Sequence, residues 1–277
     1  METVPPMEPE RSEAAKDVLL LPFEDQKFHP EYQQYFKHKR EIFFKAIEEL
    51  PGLWDCFQLL CVIWFREMAD LATAAEEKQM LPKTLFTAAH ARFLTAMELG
   101  FSCCVGDAYS ILRDGIEAVS HAYKLFKEPQ LTTVWTQKET PTYQAIFEKN
   151  KKDNLFPDEH GLRALHRYYA AFSEIATHTS PTAVETNFRE IRDAETIRWE
   201  YDYFVTGPNR LAVFLFRLLN ASALMEQVFF ACFESRLRFD HALTHMHQSF
   251  DQLKEQQKQY LRDKYSLGAD SLPSTET

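Results

Sequence analysis

Apolar residues recur along most of this chain at three- and four-residue spacing, the period of one face of an α-helix. PEYQQYFKHKREIFFKAIEEL opens on Pro30, a residue suited to a first helical turn, and Pro51 stops it. A second helix is expected from about Leu53 to the mid-seventies; LWDCFQLLCVIWF is apolar almost all round, which places it centrally. EEKQMLPK reads as a loop, and a third helix is expected from about Thr84 to Glu98, weakened at Gly100. A fourth runs from about Gly106 to Lys127, with Pro129 beyond its end. Residues Glu128 to Pro157 carry weak patterning and three prolines, and read as loop around one short helix at Tyr143 to Asn150. A fifth helix follows from about Asp158 to Thr177.

The period then changes. Ile197, Trp199, Tyr201 and Tyr203 alternate with Arg198, Glu200 and Asp202, a period of two. A small β-hairpin near 183–205 and a helix through Ala183 to Ala194 are both compatible with this stretch. Gly207, Pro208 and Asn209 punctuate the chain before an apolar helix from Leu211 to Ser235. A last helix, about Asp240 to Tyr265, carries Leu243, Met246, Phe250, Leu253 and Tyr260 on one side. The expected fold is an all-α, single-domain helical bundle of six to seven helices over residues 16–266. Residues 1–15 and 267–277 lack periodic apolar content and read as disordered tails.

Composition narrows the function. Hydrophobic residues make up 45% of the chain, enough for a packed core, and only seven of 277 residues are glycine, which argues against glycine-rich phosphate loops. A net charge of −10 repels polyphosphate, so sequence-independent binding to nucleic acid or to an anionic membrane surface is disfavoured. Leu211 to Phe233 is the most apolar window, but Arg217, Asn220, Glu226 and Gln227 make it a buried core helix rather than a membrane span. The N-terminus has no apolar signal core. Cys56, Cys61, Cys103, Cys104 and Cys232 lack metal-site or redox spacing, and read as reduced, buried thiols of a cytoplasmic protein.

Four groups of residues could carry chemistry. Arg113, Glu117 and His121 lie four apart on one helical stripe, a guanidinium, a carboxylate and an imidazole able to bind an anion or move a proton. The stripe lies nearly opposite the core face of Leu112, Ile116 and Val119, where it would be solvated. Turned inward, it would instead be a buried polar cluster. On the fifth helix Arg167, Ser173 and His178 are candidates, with His178 at the C-terminal end, where the helix dipole favours an imidazolium. His241 and His245 are spaced to share a metal, but no third ligand is apparent, so no metal site and no cofactor are expected. Arg217, in its apolar helix, should be largely buried beside a carboxylate, with Glu117 the expected partner.

AYSILRDGIEAVSHAYKLF followed by RYYAAFSEIATHTSP resembles a pattern in an uncharacterised all-helical family of bacteria, which reads "LLR..iEa" and then "Y..lSe...H". The matching positions are Ala108, Leu112, Arg113, Glu117, Tyr169, Ser173, Glu174 and His178, within Thr84 to Thr182. Members of that family are similar in outline to HEPN-type helical ribonucleases, whose motif sets four to six residues between an arginine and a histidine. Here seven separate Arg113 from His121 and ten separate Arg167 from His178. Two functional expectations result. The first is a non-enzymatic cytoplasmic bundle that binds a small ligand or a protein partner, a second copy of itself included. The second, implied by the resemblance, is a HEPN-like metal-independent ribonuclease of a bacterial defence system, with His178 or His121 as acid and base and Arg113 on phosphate.

Overall fold

The structure is a computed structural model describing residues 29–71, 79–152, 155–176, 188–192, 196–201, 204, 207–238 and 240–265. The helices are α1 (Pro30–Glu49), α2 (Pro51–Asp70), α3 (Met80–Phe101), α4 (Val105–Lys127), α5 (Thr132–Thr136) and α6 (Pro141–Lys152), followed by α7 (Leu162–Ala176), α8 (Pro208–Phe233) and α9 (His241–Tyr265). Between α7 and α8, β1 (Phe188–Arg192) pairs antiparallel with β2 (Ile197–Tyr201), with Glu190 opposite Trp199. The fold is an all-α bundle with one small hairpin, and the period-two stretch is the second strand. His178 and both chain tails lie outside the described residues.

The chain divides into two compact units, Met1–Ile42 and Phe43–Thr277. In the first, the described residues are those of the beginning of α1, where Tyr32, Tyr35 and Phe36 are exposed. The second contains the core. Proline marks the starts of α2, α6 and α8, where its missing N–H has no helical partner to lose. The same tolerance explains two departures from the sequence pattern. Helix α3 begins at Met80, with Pro82 inside its first turn, and α6 begins at Pro141. The segment expected to be loop before it also carries a 3-10 turn at Pro129–Leu131 and the short α5.

Helix α8 occupies the centre, packing on α2, α3, α4 and α7, with Leu215, Phe216, Leu219 and Phe229 fully or almost fully buried. By length and composition Pro208–Arg236 could cross a membrane; 83% of its apolar window is buried inside the fold. Helices α3 and α4 pack along their lengths around a link of Ser102, Cys103 and Cys104. Cys103 adopts φ 60°, a left-handed conformation that lets the chain reverse sharply, and its N–H donates to the Gly100 carbonyl. Aromatic rings fill the layer beside α8. Phe93 stacks on Trp64 and on Phe57 at 6.0 Å each, and Phe86 meets Phe229 edge-on at 5.2 Å.

Helix α2 is less enclosed than its all-round apolar sequence implies, because Val62 and Phe65 are each about half exposed. All five cysteines are free; Cys56, Cys103, Cys104 and Cys232 are buried and Cys61 is half-buried. Burial pushes the Cys56 and Cys232 thiols up to about 12, so they stay protonated and unreactive.

Candidate functional site

Helix α4 is strongly amphipathic. Ala108, Leu112, Ile116 and Val119 are completely buried, which leaves Arg113, Glu117 and His121 on the other side. That side is not open water. Side-chain exposure falls from 30% at Arg113 to 27% at Glu117 and 12% at His121. From α7, the Tyr169 hydroxyl donates to Glu117 Oε2 at 3.4 Å. Glu117 Oε1 also lies 3.7 Å from His121 Nε2. The Arg113 guanidinium turns to the adjacent Asp114 carboxylate at 3.0 Å, and its Nε is buried with no partner among the described residues.

His121 leads into a cleft of about 290 Å³, whose other walls are Lys124, Leu125, Leu131, Val134, Trp135 and Phe147. The imidazole lies nearly parallel to the Phe147 ring, 5.6 Å between centroids. Lys138 Nζ sits over the Trp135 and Phe147 rings at 4.8 and 5.2 Å, placing positive charge beside this aromatic pair. The Trp135 indole Nε1 is buried and has no hydrogen-bond acceptor among the described residues. Helices α5 and α6, which the sequence pattern rendered mostly as loop, supply these aromatic walls.

The remaining candidates are scattered. Ser173 spends its hydroxyl on the Tyr169 carbonyl of its own helix at 2.7 Å. Arg167 is on the exposed side of α7. Arg217 is half-buried rather than largely buried. Burial pushes the Tyr109 and Tyr168 hydroxyls up to about 12; the Arg217 guanidinium pulls the other way at Tyr109, and at Tyr168 a hydrogen bond with Asn220 does so first and Arg217 second. Among the described residues the arginine's charge is felt by these two tyrosines, and no ion pair with Glu117 is seen.

The buried charge of α8 is instead Glu226, 6% exposed, beside Glu67 of α2, which is completely buried. His247 of α9 completes the group, with Nε2 at 2.9 Å from Glu67 Oε1. One ligand atom from each of the three lies within 4.8 Å of the other two. Burial pushes the Glu67 carboxyl up to about 8. Burial, and then the Glu67 charge, raise Glu226 well above the carboxylate range. These three residues were not among the candidate ligands expected from the sequence. His241 and His245 are exposed on α9, whereas His247, one turn from buried Leu243, faces α2. Glu226, the single acid of the apolar α8, was the available signal.

Comparison of the chain with family models, with curated proteins and with solved structures finds no match.

Proposed function

We propose that this protein is a non-enzymatic helical bundle that binds a small molecule with an apolar body and an anionic head in the cleft at His121. The observation carrying this reading is the pairing of an apolar wall, Leu125, Leu131, Val134, Trp135 and Phe147, with His121 and Lys124 in one cleft. His121 and Lys124 supply donors, so the head group accepts hydrogen bonds. The cleft is small and lined by only seven residues, and suits a single ring or short chain at most. An aliphatic or aromatic carboxylate meets all three requirements.

Titration with a panel of small carboxylates, and with the amines and alcohols of the same skeletons, tests this through tryptophan fluorescence. Saturable binding of carboxylates alone, abolished in His121→Phe and silent in Trp135→Phe, is expected. Panel-wide absence of saturation, or binding unchanged in His121→Phe, would overturn the reading. A second reading, a HEPN-like metal-independent ribonuclease, draws support from Arg113, whose acidic neighbour Asp114 sits where that motif has a polar residue, and from half-buried His121 two turns on. RNA cleavage in chelator, lost in both Arg113→Ala and His121→Phe, is its signature.

A further inference from the structure

A second site, between α2, α8 and α9, shares no residue with the cleft and does not depend on it. We infer that Glu67, Glu226 and His247 hold one divalent first-row transition-metal ion, of the Zn²⁺, Mn²⁺ or Fe²⁺ kind, between α2, α8 and α9. Three independent observations converge there.

The first is geometric. Two carboxylates and an imidazole from three helices bring one ligand atom each within 4.8 Å of one another. Metal–ligand bonds of about 2.0–2.2 Å set three donors around a single ion roughly 3–3.8 Å apart; His247 Nε2 and Glu67 Oε1 are already 2.9 Å apart, and side-chain rotation of up to about 1 Å closes the rest of the set. The second is the state of the oxygens. Among the described residues, Glu67 Oε2 and Glu226 Oε1 are buried with no hydrogen-bond partner. Buried carboxylate oxygens are almost always satisfied, and two orphans in one cluster mark missing positive charge. The third is charge balance. Two buried carboxylates share this junction with a single imidazole, so positive charge is short there. A divalent cation with neutral His247 brings the Glu67–Glu226 pair to zero net charge.

Donor chemistry selects the metal class. One nitrogen with two carboxylates suits zinc, manganese or ferrous iron, whereas magnesium and calcium favour all-oxygen shells. Three protein ligands leave coordination positions for water, as in sites where a metal-bound water acts, in contrast to closed four-ligand structural sites.

The full chain, stripped with chelator and dialysed, should bind one equivalent of Co²⁺, with visible d–d absorption, and should melt several degrees higher with Zn²⁺ or Mn²⁺. Glu226→Gln and His247→Gln should each weaken binding about 100-fold or more. The double variant His241→Gln with His245→Gln should bind as wild type. Without metal, Glu226→Gln should melt at or above the wild-type temperature, because it removes one of two like charges, which separates lost binding from lost folding. Should that variant fail to fold, His247→Gln decides alone. Wild-type protein that binds no stoichiometric metal, binding that survives both single variants, or binding that disappears with His241 and His245 would each overturn the inference.

Discussion

In a chain with seven glycines, Gly100 sits where α3 crosses α8, and replacing it with alanine sets two opposed effects against each other. In a helix interior the change gains about 1 kcal/mol of helix propensity. At this crossing, however, the new methyl would lie 2.9 Å from Leu218 Cδ1, 3.0 Å from Leu215 Cδ2 and 3.3 Å from Phe214 Cε1. Those side chains are at most 4% exposed and belong to one stretch of the central helix, so they cannot all step aside. Overpacking of this kind costs roughly 1–3 kcal/mol, and Gly100 is in the last turn of α3, where propensity counts least. The net expectation is destabilisation by about 1–2 kcal/mol, a fall in melting temperature of about 2–8 °C for a chain this size. Urea unfolding with an unchanged m-value should show it. Gly106→Ala, with nothing within 4 Å of the added methyl, is the control and should be neutral or stabilising. Leu218→Ala alone should cost about 2–5 kcal/mol, and less in the Gly100→Ala background, where the two changes compensate. A Gly100→Ala midpoint that rises like that of Gly106→Ala, or a strictly additive cycle with Leu218→Ala, would refute the close-approach argument.

Two further outcomes are expected. His90 is 3% exposed among Trp64, Phe65 and Phe93, and burial pushes its imidazole from 6.5 down to about 4. The unfolded chain therefore binds this proton first, so the contribution to stability is complete above pH 6.5 and is lost as pH falls towards 4, by at most about 3 kcal/mol. His90→Phe should flatten the pH dependence of the urea midpoint across that window, and a wild-type slope retained in the variant would contradict the assignment. Glu117→Gln and Arg217→Met should be additive to within about 0.5 kcal/mol in a double-mutant cycle, because the first acts on Tyr169 and His121 and the second on Tyr109 and Tyr168. Coupling above about 1 kcal/mol would show that the two side chains meet after all.

Helices with a clean apolar face were legible in the sequence almost to the residue: α4 was expected from Gly106 to Lys127 and spans Val105–Lys127. Where proline occupies a first turn the reading fell short, since Pro82 and Pro141 punctuate a pattern without ending a helix. The α4 stripe was correctly located, but periodicity cannot say what covers it, and its cover consists of Tyr169 from α7 and Phe147 from α6. Arg217 was misjudged because an apolar helix was taken as buried on every side, while its own position opens toward two tyrosines. The Glu67, Glu226 and His247 group escaped notice for a different reason. A search for ligands at i and i+4 finds only those sharing a helix, and these three come from three helices.

That separation has a kinetic meaning. Phe101 and Val105 are four positions apart, so the α3–α4 turn closes almost without loss of chain freedom. Glu67 and His247 are 180 positions apart, and joining their ends costs about 3 kcal/mol more in loop entropy. Contacts of that range come late in assembly, once the intervening helices have already shortened the path. The three-helix junction is thus a latch fastened at the end of folding, and its occupancy reports whether the whole chain has reached its native arrangement.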